Sequence, residues 1–234
     1  YVNLAPGRAP DAHYTRPLFE SRRRVLESGA YAPVVEALSR LAAQYAPDDA
    51  LLVDAGCGEG FYAKALAAQF RRVVAFDLAR DAVYLAASGP KDERARRVAF
   101  LVADLTRIPV QDGAASVLLD VFTPAHYAEF ARVLKPGGVL IKALPGPGYL
   151  REIRALAGQR DYRNDDVLRR LDETGGERFL PLARETLCYT FPLPEPLRAD
   201  AVRMTPLTHA HAANPDALTE ITIEMEIAVL GKRE

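Results

Sequence analysis

The chain has 234 residues, 49% of them hydrophobic and 26% charged, a balance that suits a globular protein able to bury a full core. Thirty lysines and arginines against 31 acids leave a formal net charge of −1, which excludes a globally basic nucleic-acid binder. Two cysteines are too few for a disulfide framework or a four-ligand zinc site, and no apolar run reaches membrane-spanning length or forms a secretory signal, so a cytoplasmic protein is expected.

Tyr1 to Pro17 is proline-rich, polar and aperiodic, and reads as an extended arm. Leu18 to Ser28 has helical character, carries Arg22, Arg23 and Arg24, and ends at Gly29. Tyr31 to Tyr45 is an amphipathic helix with Val34, Val35, Leu38 and Leu41 near helical spacing, placed against a sheet. Residues 1–46 therefore read as an N-terminal arm with helices, and 47–234 as the main domain.

Leu51 to Asp54 is an apolar run ending in an acid, the pattern of a buried parallel strand. Gly56, Gly58 and Gly60 follow at every second position, and Phe61 to Phe70 is helical. A strand, a glycine loop and a helix start make a nucleotide-binding corner. A dinucleotide site would place its glycines as G-x-G-x-x-G. Here the spacing is G-x-G-x-G with Glu59 inside the loop and Asp54 before it. Acids there repel a pyrophosphate but suit a cationic ligand. The ligand implied is S-adenosylmethionine, which carries a sulfonium and an amino group. Cys57 reads as a small residue packed in the turn.

Arg72 to Asp77 is the second strand. Asp77 stands about 20 residues beyond the glycine loop, where an acid takes ribose hydroxyls, and it can also cap the helix over Ala79 to Ala87. Val98 to Val102 is the third strand, followed by Ala103, Asp104 and Leu105. Asp104 can accept from an adenine amino group or serve as a surface turn acid. Ala115 to Phe122 is the fourth strand, ending at Thr123-Pro124. Ala125 to Leu134 is a helix, Lys135 to Gly138 a tight turn, and Val139 to Ala143 the fifth strand. Pro145-Gly146-Pro147 follows at its carboxyl end, the end at which open α/β sheets bind ligands. Tyr149 to Ala157 and Asp165 to Leu171 read as helices. Glu185 to Phe191 and Thr219 to Leu230 alternate and read as an antiparallel pair, with Cys188 in the strand core. The fold expected is α/β: a doubly wound, Rossmann-like sheet with an N-terminal helical arm. The expected cofactor contacts are Asp54, Gly56, Cys57, Gly58, Glu59 and Gly60 in the first loop, Asp77 and Leu78, then Ala103, Asp104 and Leu105, and Val121.

The D-x-G-C-G-E-G run at Asp54 to Gly60 resembles motif I of class I methyltransferases, and R-V-L-K-P-G-G-V-L-I at Arg132 to Ile141 resembles the same class. The flanks sharpen this. Y-V-N-L at Tyr1, S-R-R-R-V-L-E-S-G-A-Y at Ser21, V-F-T-P at Val121, P-G-P at Pro145 and M-T-P at Met204 stand in the order and spacing of the bacterial 23S rRNA (guanine-N1-)-methyltransferase family. The resemblance covers nearly the whole chain. It implies methyl transfer from S-adenosylmethionine to N1 of a guanine in a 23S rRNA hairpin loop. It also carries over an arginine pair, Arg22 and Arg23, as phosphate or cofactor contacts; the alternative is ion pairing with Glu20 or Glu27. Family members begin with a four-cysteine zinc module before Y-V-N-L. This chain starts at that segment, and no structural zinc is expected in it.

Guanine N1 is protonated at neutral pH, so its proton must leave before or during transfer. Asp120 is the candidate base from its place at the end of the fourth strand, with His126, His209 and His211 as further candidates. Phe122, Pro124, Pro145 and Pro147 are expected to flank the acceptor base. Two other readings stay open: a methyltransferase acting on a small metabolite, and a non-catalytic cofactor- or RNA-binding protein. A homodimer is also left open.

Overall fold

The computed structural model describes residues 1–7, 13–46, 49–88, 95–158, 176–208 and 213–233. The expected helix at Asp165 to Leu171 and the candidates His209 and His211 lie outside the described residues. The described strands form one sheet: β1 (Val2–Asn3), β2 (Leu51–Ala55), β3 (Arg72–Asp77), β4 (Val98–Val102), β5 (Ala115–Val121), β6 (Leu134–Pro145), β7 (Phe179–Pro192) and β8 (Glu220–Lys232). Their order is β1-β4-β3-β2-β5-β6-β8-β7. β1 to β6 pair in parallel, while β8 runs antiparallel to β6 and β7 antiparallel to β8.

Every residue of β5, Ala-Ser-Val-Leu-Leu-Asp-Val, is buried. Such a strand needs cover on both faces. One face packs Leu52, Val117, Leu119 and Ile141 against α2 (Ala32–Tyr45), α3 (Phe61–Leu66), α4 (Arg80–Ala87), α6 (Arg151–Leu156) and α7 (Glu195–Arg203). The other packs Val53, Leu118 and Leu140 against Phe130 and Val133 of α5 (Tyr127–Val133). A smaller cluster joins Leu18 and Phe19 of α1 (Arg16–Val25) to Ala79, Ala82 and Leu85. From β2 the strand order runs out through β3 to β4 on one side and through β5 to β6 on the other. The chain therefore opens a crevice at the carboxyl ends of β2 and β5, the topological switch point.

Several features differ from the sequence reading, among them the tight turn read at Lys135 to Gly138, which lies at the start of β6. The N-terminal segment is not wholly an extended arm: Val2 and Asn3 pair with Leu101 and Val102 of β4, and Leu4 N–H donates to the Val102 carbonyl at 2.8 Å. The backbone groups of β4 would otherwise form an open edge. α1 ends at Val25 and passes into a π turn over Leu26–Ala30. α7 was not foreseen, because Pro192, Pro194 and Pro196 give its start the look of a loop, although proline in the first turn is itself a helix-start signal. Cys188 is exposed, not in the core, because β7 closes the sheet as its last strand and turns alternate residues to solvent.

Candidate functional site

The glycine loop leaves β2 at Gly56, whose φ is +76°, and enters α3 at Gly60, whose φ is +77°. Side chains are strained in that region. A Cβ on Gly60 would also lie 2.6 Å from the Phe100 ring and 3.0 Å from the Ala86 methyl. The Gly56 and Cys57 N–H groups donate to the Phe76 carbonyl at 2.8 and 2.9 Å, so the loop is pinned to β3. Asp77, at the end of β3, completes the clasp. Its carboxylate accepts from Gly58 N–H at 2.9 Å and Ala79 N–H at 2.8 Å.

Asp54 and Glu59 differ from Asp77 in being short of partners. Asp54 is 2% exposed and Glu59 4%, and Asp54 Oδ2 and Glu59 Oε2 have no hydrogen-bond partner among the described residues. Burial, with the nearby Asp77 charge second, raises the Asp54 pKa to about 8. Burial also raises Glu59, opposed by the Arg22 guanidinium. Desolvation raises Asp77, opposed by the Ala79 and Gly58 amides. Three desolvated acids around one space make it favourable to a cation and unfavourable to an anion.

That space is a cavity of about 490 Å³, within the range of small-molecule sites. Asp54, Gly56, Cys57 and Glu59 line it from β2; Asp77 and Leu78 from β3; Ala103, Asp104 and Leu105 from β4; Val121, Phe122 and Pro124 from β5; Pro145 from β6. Asp104 Oδ1 also accepts from the Thr106 N–H and hydroxyl, both at 2.8 Å. Gly58 and Gly60 shape the loop without lining the cavity, and Pro147 stands outside it. A neighbouring depression of about 580 Å³ at Leu4 to Pro6 and Thr106 to Pro109 shares Ala103 and Asp104. None of the orphaned buried polar atoms belongs to it.

The two arginines of the expected pair part company. Arg22 lines the cavity and donates from Nε and Nη2 to the Met204 carbonyl, both at 3.2 Å. Arg23 forms an ion pair with Glu27 at 2.8 Å and stands outside the cavity, as the ion-pair alternative holds.

Asp120 does not line the cavity. It is fully buried, and its Oδ2 accepts from Lys142 Nζ at 2.7 Å. Burial outweighs that partner and raises its pKa to about 6. The period-2 alternation of β5 explains the placement: Leu119 and Val121 face the cluster of α2 and α3, so Asp120 faces the other side with Leu118. Asp120 as general base is therefore corrected to a buried ion-pair partner. Lys142 Nζ also donates to the Thr123 carbonyl at 3.0 Å, so the pair fixes the loop after β5. His126 caps α5, with Nδ1 accepting from Glu129 N–H at 3.3 Å, and stands outside the cavity.

The end of the cavity at β5 is aromatic. Phe122 has a φ of +57°, a strained conformation for a bulky residue of the kind that concentrates at functional sites. Its N–H donates to the Ala143 carbonyl at 3.0 Å. Its ring centroid lies 4.9 Å from that of Tyr149. The Tyr149 hydroxyl is 2.7 Å from the Tyr31 hydroxyl. Tyr62 also lines the cavity, and its buried hydroxyl has no partner among the described residues. The Pro145 to Tyr149 turn is held by Glu224 of β8, which accepts from Gly146 N–H at its carbonyl, 2.8 Å, and from Gly148 N–H at Oε2, 2.9 Å. Sequence reasoning missed Tyr31, Tyr62 and Tyr149. They come from three distant segments, and only tertiary packing brings them together. Met204 to Leu207, which also line the cavity, carried a signal in M-T-P. Among the described residues no group of three or more His, Cys, Asp or Glu side chains is placed to hold a metal.

Comparison with known proteins agrees with this geometry. A family described as a methyltransferase domain matches residues 52–138. A 23S rRNA (guanine(748)-N(1))-methyltransferase of Streptomyces fradiae is 31% identical over 232 residues, covering 96% of this chain and 79% of the relative. A Bacillus subtilis protein provisionally named as a 23S rRNA (guanine-N(1)-)-methyltransferase is 32% identical over 182 residues, covering 73% of this chain and 62% of the relative. The chain thus spans from 62% to 79% of the length of these two relatives. Among solved structures, the YcgJ protein of Bacillus subtilis superposes with a TM-score of 0.60 at 15% identity, covering 86% of this chain and 98% of that one. A geranyl diphosphate methyltransferase superposes with a TM-score of 0.52 at 18% identity, covering 85% and 78%. At such identities the structures speak for the fold alone. The glycine loop, the acids at the strand ends and the match along nearly the whole chain place this protein in the 23S rRNA (guanine-N1-)-methyltransferase family, built on a class I methyltransferase domain.

Proposed function

We propose that this chain transfers the methyl group of S-adenosylmethionine to N1 of an unpaired guanine in a 23S rRNA hairpin loop. The observation that carries the reading is the pair of orphaned carboxylate oxygens, Asp54 Oδ2 and Glu59 Oε2, on a cavity whose other end is aromatic. The cofactor fits that chemistry. Its sulfonium and ammonium suit the two unpartnered acids, and its ribose hydroxyls suit Asp77. A planar purine suits the walls at Leu78, Ala103 and Leu105, with Asp104 at the edge. When bound, the cofactor supplies an electrophilic methyl group.

The chain's own residues then have three tasks. Asp54 and Glu59 hold the cationic portion, because each has a buried carboxylate oxygen without a hydrogen-bond partner among the described residues and its ionised form gains a counter-charge from the ligand. Asp77 fixes the loop and the ribose together, since its oxygens already hold the Gly58 and Ala79 amides. Phe122, Tyr149, Pro124 and Pro145 receive the acceptor base. Aromatic and apolar faces of this kind hold bases displaced from a helix. Holding donor and acceptor in line and away from water supplies most of what an already activated methyl needs. The specificity for rRNA and for N1 is supported by the names of the relatives at 31–32% identity.

The test is methyl transfer from labelled S-adenosylmethionine to unmodified 23S rRNA and to metabolite pools. Nucleoside mass spectrometry should find 1-methylguanosine, and reverse transcription should stop beside a single loop guanine. Label in a metabolite alone would favour a small-molecule enzyme. Label nowhere, with cofactor bound, would favour a non-catalytic binding protein.

A further inference from the structure

We infer that the Tyr62 hydroxyl, on the cavity wall that also carries the hydrogen-bonded Tyr31–Tyr149 pair, is the group that receives the 6-oxo oxygen of the acceptor guanine and holds the negative charge that appears there when N1 loses its proton. This rests on the function proposed above and names the residue that sets its acceptor chemistry. Three observations carry it. The Tyr62 hydroxyl oxygen is buried and has no partner among the described residues. Buried hydroxyls are nearly always hydrogen-bonded, so an orphan on a cavity wall marks a place where a ligand supplies the partner. Second, Tyr62 lines the same cavity as Glu59, Tyr31 and Tyr149. The cavity wall to which Tyr62 belongs thus carries both the acids and the Phe122–Tyr149 ring pair. Third, the neighbours are fixed. Tyr31 is 1% exposed, its hydroxyl meets Tyr149 at 2.7 Å, and Tyr189 donates to the adjoining Ala30 carbonyl at 2.8 Å.

The chemistry follows from the acceptor. Guanine N1–H is part of an amide-like unit with the 6-oxo group. When the proton passes from N1 to solvent water before the base is closed off from it, the N–H electron pair stays on the base, and the charge is shared between N1 and the oxygen. Donors aimed at the place where such charge develops lower the cost of forming it. Burial raises the pKa values of Tyr31 and Tyr62 well above normal. Both hydroxyls therefore keep their protons, and the unpartnered one on Tyr62 has its O–H to donate. No carboxylate need touch N1, which agrees with the withdrawal of Asp120 from the cavity.

The experiment uses Tyr62→Phe, which removes one oxygen and keeps the ring, in the full chain. The RNA is the 23S rRNA hairpin mapped by reverse transcription, with guanine or 2-aminopurine, which lacks the 6-oxo oxygen, at the target. Calorimetry should show unchanged S-adenosylmethionine affinity. Single-turnover methyl transfer to the guanine hairpin should fall by roughly tenfold or more, as expected for a hydrogen bond to a charged group. The pH at which the rate levels off should rise by about one unit, because a tenfold loss of anion stabilisation equals one pKa unit. Binding measured without turnover supplies the second readout. Wild-type protein should bind the guanine hairpin more tightly than the 2-aminopurine hairpin, and Tyr62→Phe should bind the two alike. A full discrimination in Tyr62→Phe, or a weakened cofactor affinity, would overturn the assignment, the latter by placing the hydroxyl on the cofactor. Wild-type activity on the hairpin with an unaltered Tyr62→Phe rate and pH profile overturns this inference alone. A wild-type chain that neither binds nor methylates 23S rRNA hairpins overturns the proposed function and this inference with it.

Discussion

Asp54 shows how one side chain can serve binding at the expense of stability. Its carboxyl is 2% exposed, and its pKa stands at about 8 against an ordinary 3.8. The sign follows directly. Below pH 4 the group is protonated folded and unfolded alike, and it costs nothing. Between about 4 and 8 the unfolded chain ionises it while the fold holds it neutral, so the stability of the ligand-free protein falls as pH rises through that window. A cationic ligand reverses the preference, because it interacts with the ionised form. Two outcomes are expected. Thermal unfolding of ligand-free Asp54→Asn should match wild type near pH 4 and exceed it near pH 8. Wild-type affinity for S-adenosylmethionine should rise between pH 6 and 8, with proton release measurable by calorimetry in buffers of different ionisation enthalpy, whereas Asp54→Asn should bind weakly with a flatter profile. Asp77→Ala should weaken cofactor binding by about 1.5–3 kcal/mol, the value of a charge-assisted hydrogen bond; unchanged calorimetric affinity would sink the ribose role. At this scale the acids were legible because Asp54 and Asp77 stand at strand ends and Glu59 stands within the glycine loop. The tyrosines were not, because Tyr31, Tyr62 and Tyr149 share no period or motif.

The elements that frame the site were legible where composition left one choice. Continuous apolar runs at Leu51, Arg72 to Asp77, Val98 to Val102 and Ala115 admit little but buried strands. The structure places all four side by side, with the carboxyl ends at the cavity. β1 was hidden, since two residues have no pattern, and only the vacant edge of β4 calls them in. The facing of Asp120 was hidden too: with every residue of β5 buried, burial alone could not say which face a side chain takes. The pair it forms with Lys142 is 0% and 3% exposed at the two side chains. Removing one partner from a buried pair costs about 3–5 kcal/mol, while replacing both by apolar groups is often neutral or better. Lys142→Met should therefore be strongly destabilised in urea unfolding. Asp120→Leu with Lys142→Met should regain most of the loss and still bind S-adenosylmethionine. A double variant that folds and binds cofactor but cannot methylate RNA would return Asp120 to the catalytic machinery.

Over the whole molecule, the charge balance limits how the chain can hold RNA. A formal net charge of −1 gives no broad positive field to gather phosphates. Among the described residues several arginines are held by acids: Arg16 by Glu20, Arg24 by Asp200, Arg40 by Glu185, Arg132 by Asp112 and Glu129. With that balance, fewer phosphates are neutralised than by a broadly basic surface. The binding constant should fall only shallowly with salt, at roughly 0.7 to 0.9 logarithmic units per contacted phosphate. Discrimination must come from the base itself and from how it is presented. N1 lies on the Watson–Crick edge, so a paired guanine offers no nucleophile until it is unpaired and unstacked, at a cost of a few kcal/mol. In the proposed function the cavity meets that base with Phe122 and Tyr149 at the end of β5. Two hairpins of equal length and charge, one with the target guanine in the loop and one with it paired in the stem, should bind with similar salt slopes. Their single-turnover rates should differ by roughly a hundredfold or more, since each 1.4 kcal/mol of unpairing costs a factor of ten. Equal rates on loop and stem, or a product methylated at N7, which stays accessible in a duplex, would show that the chain does not select an exposed Watson–Crick edge.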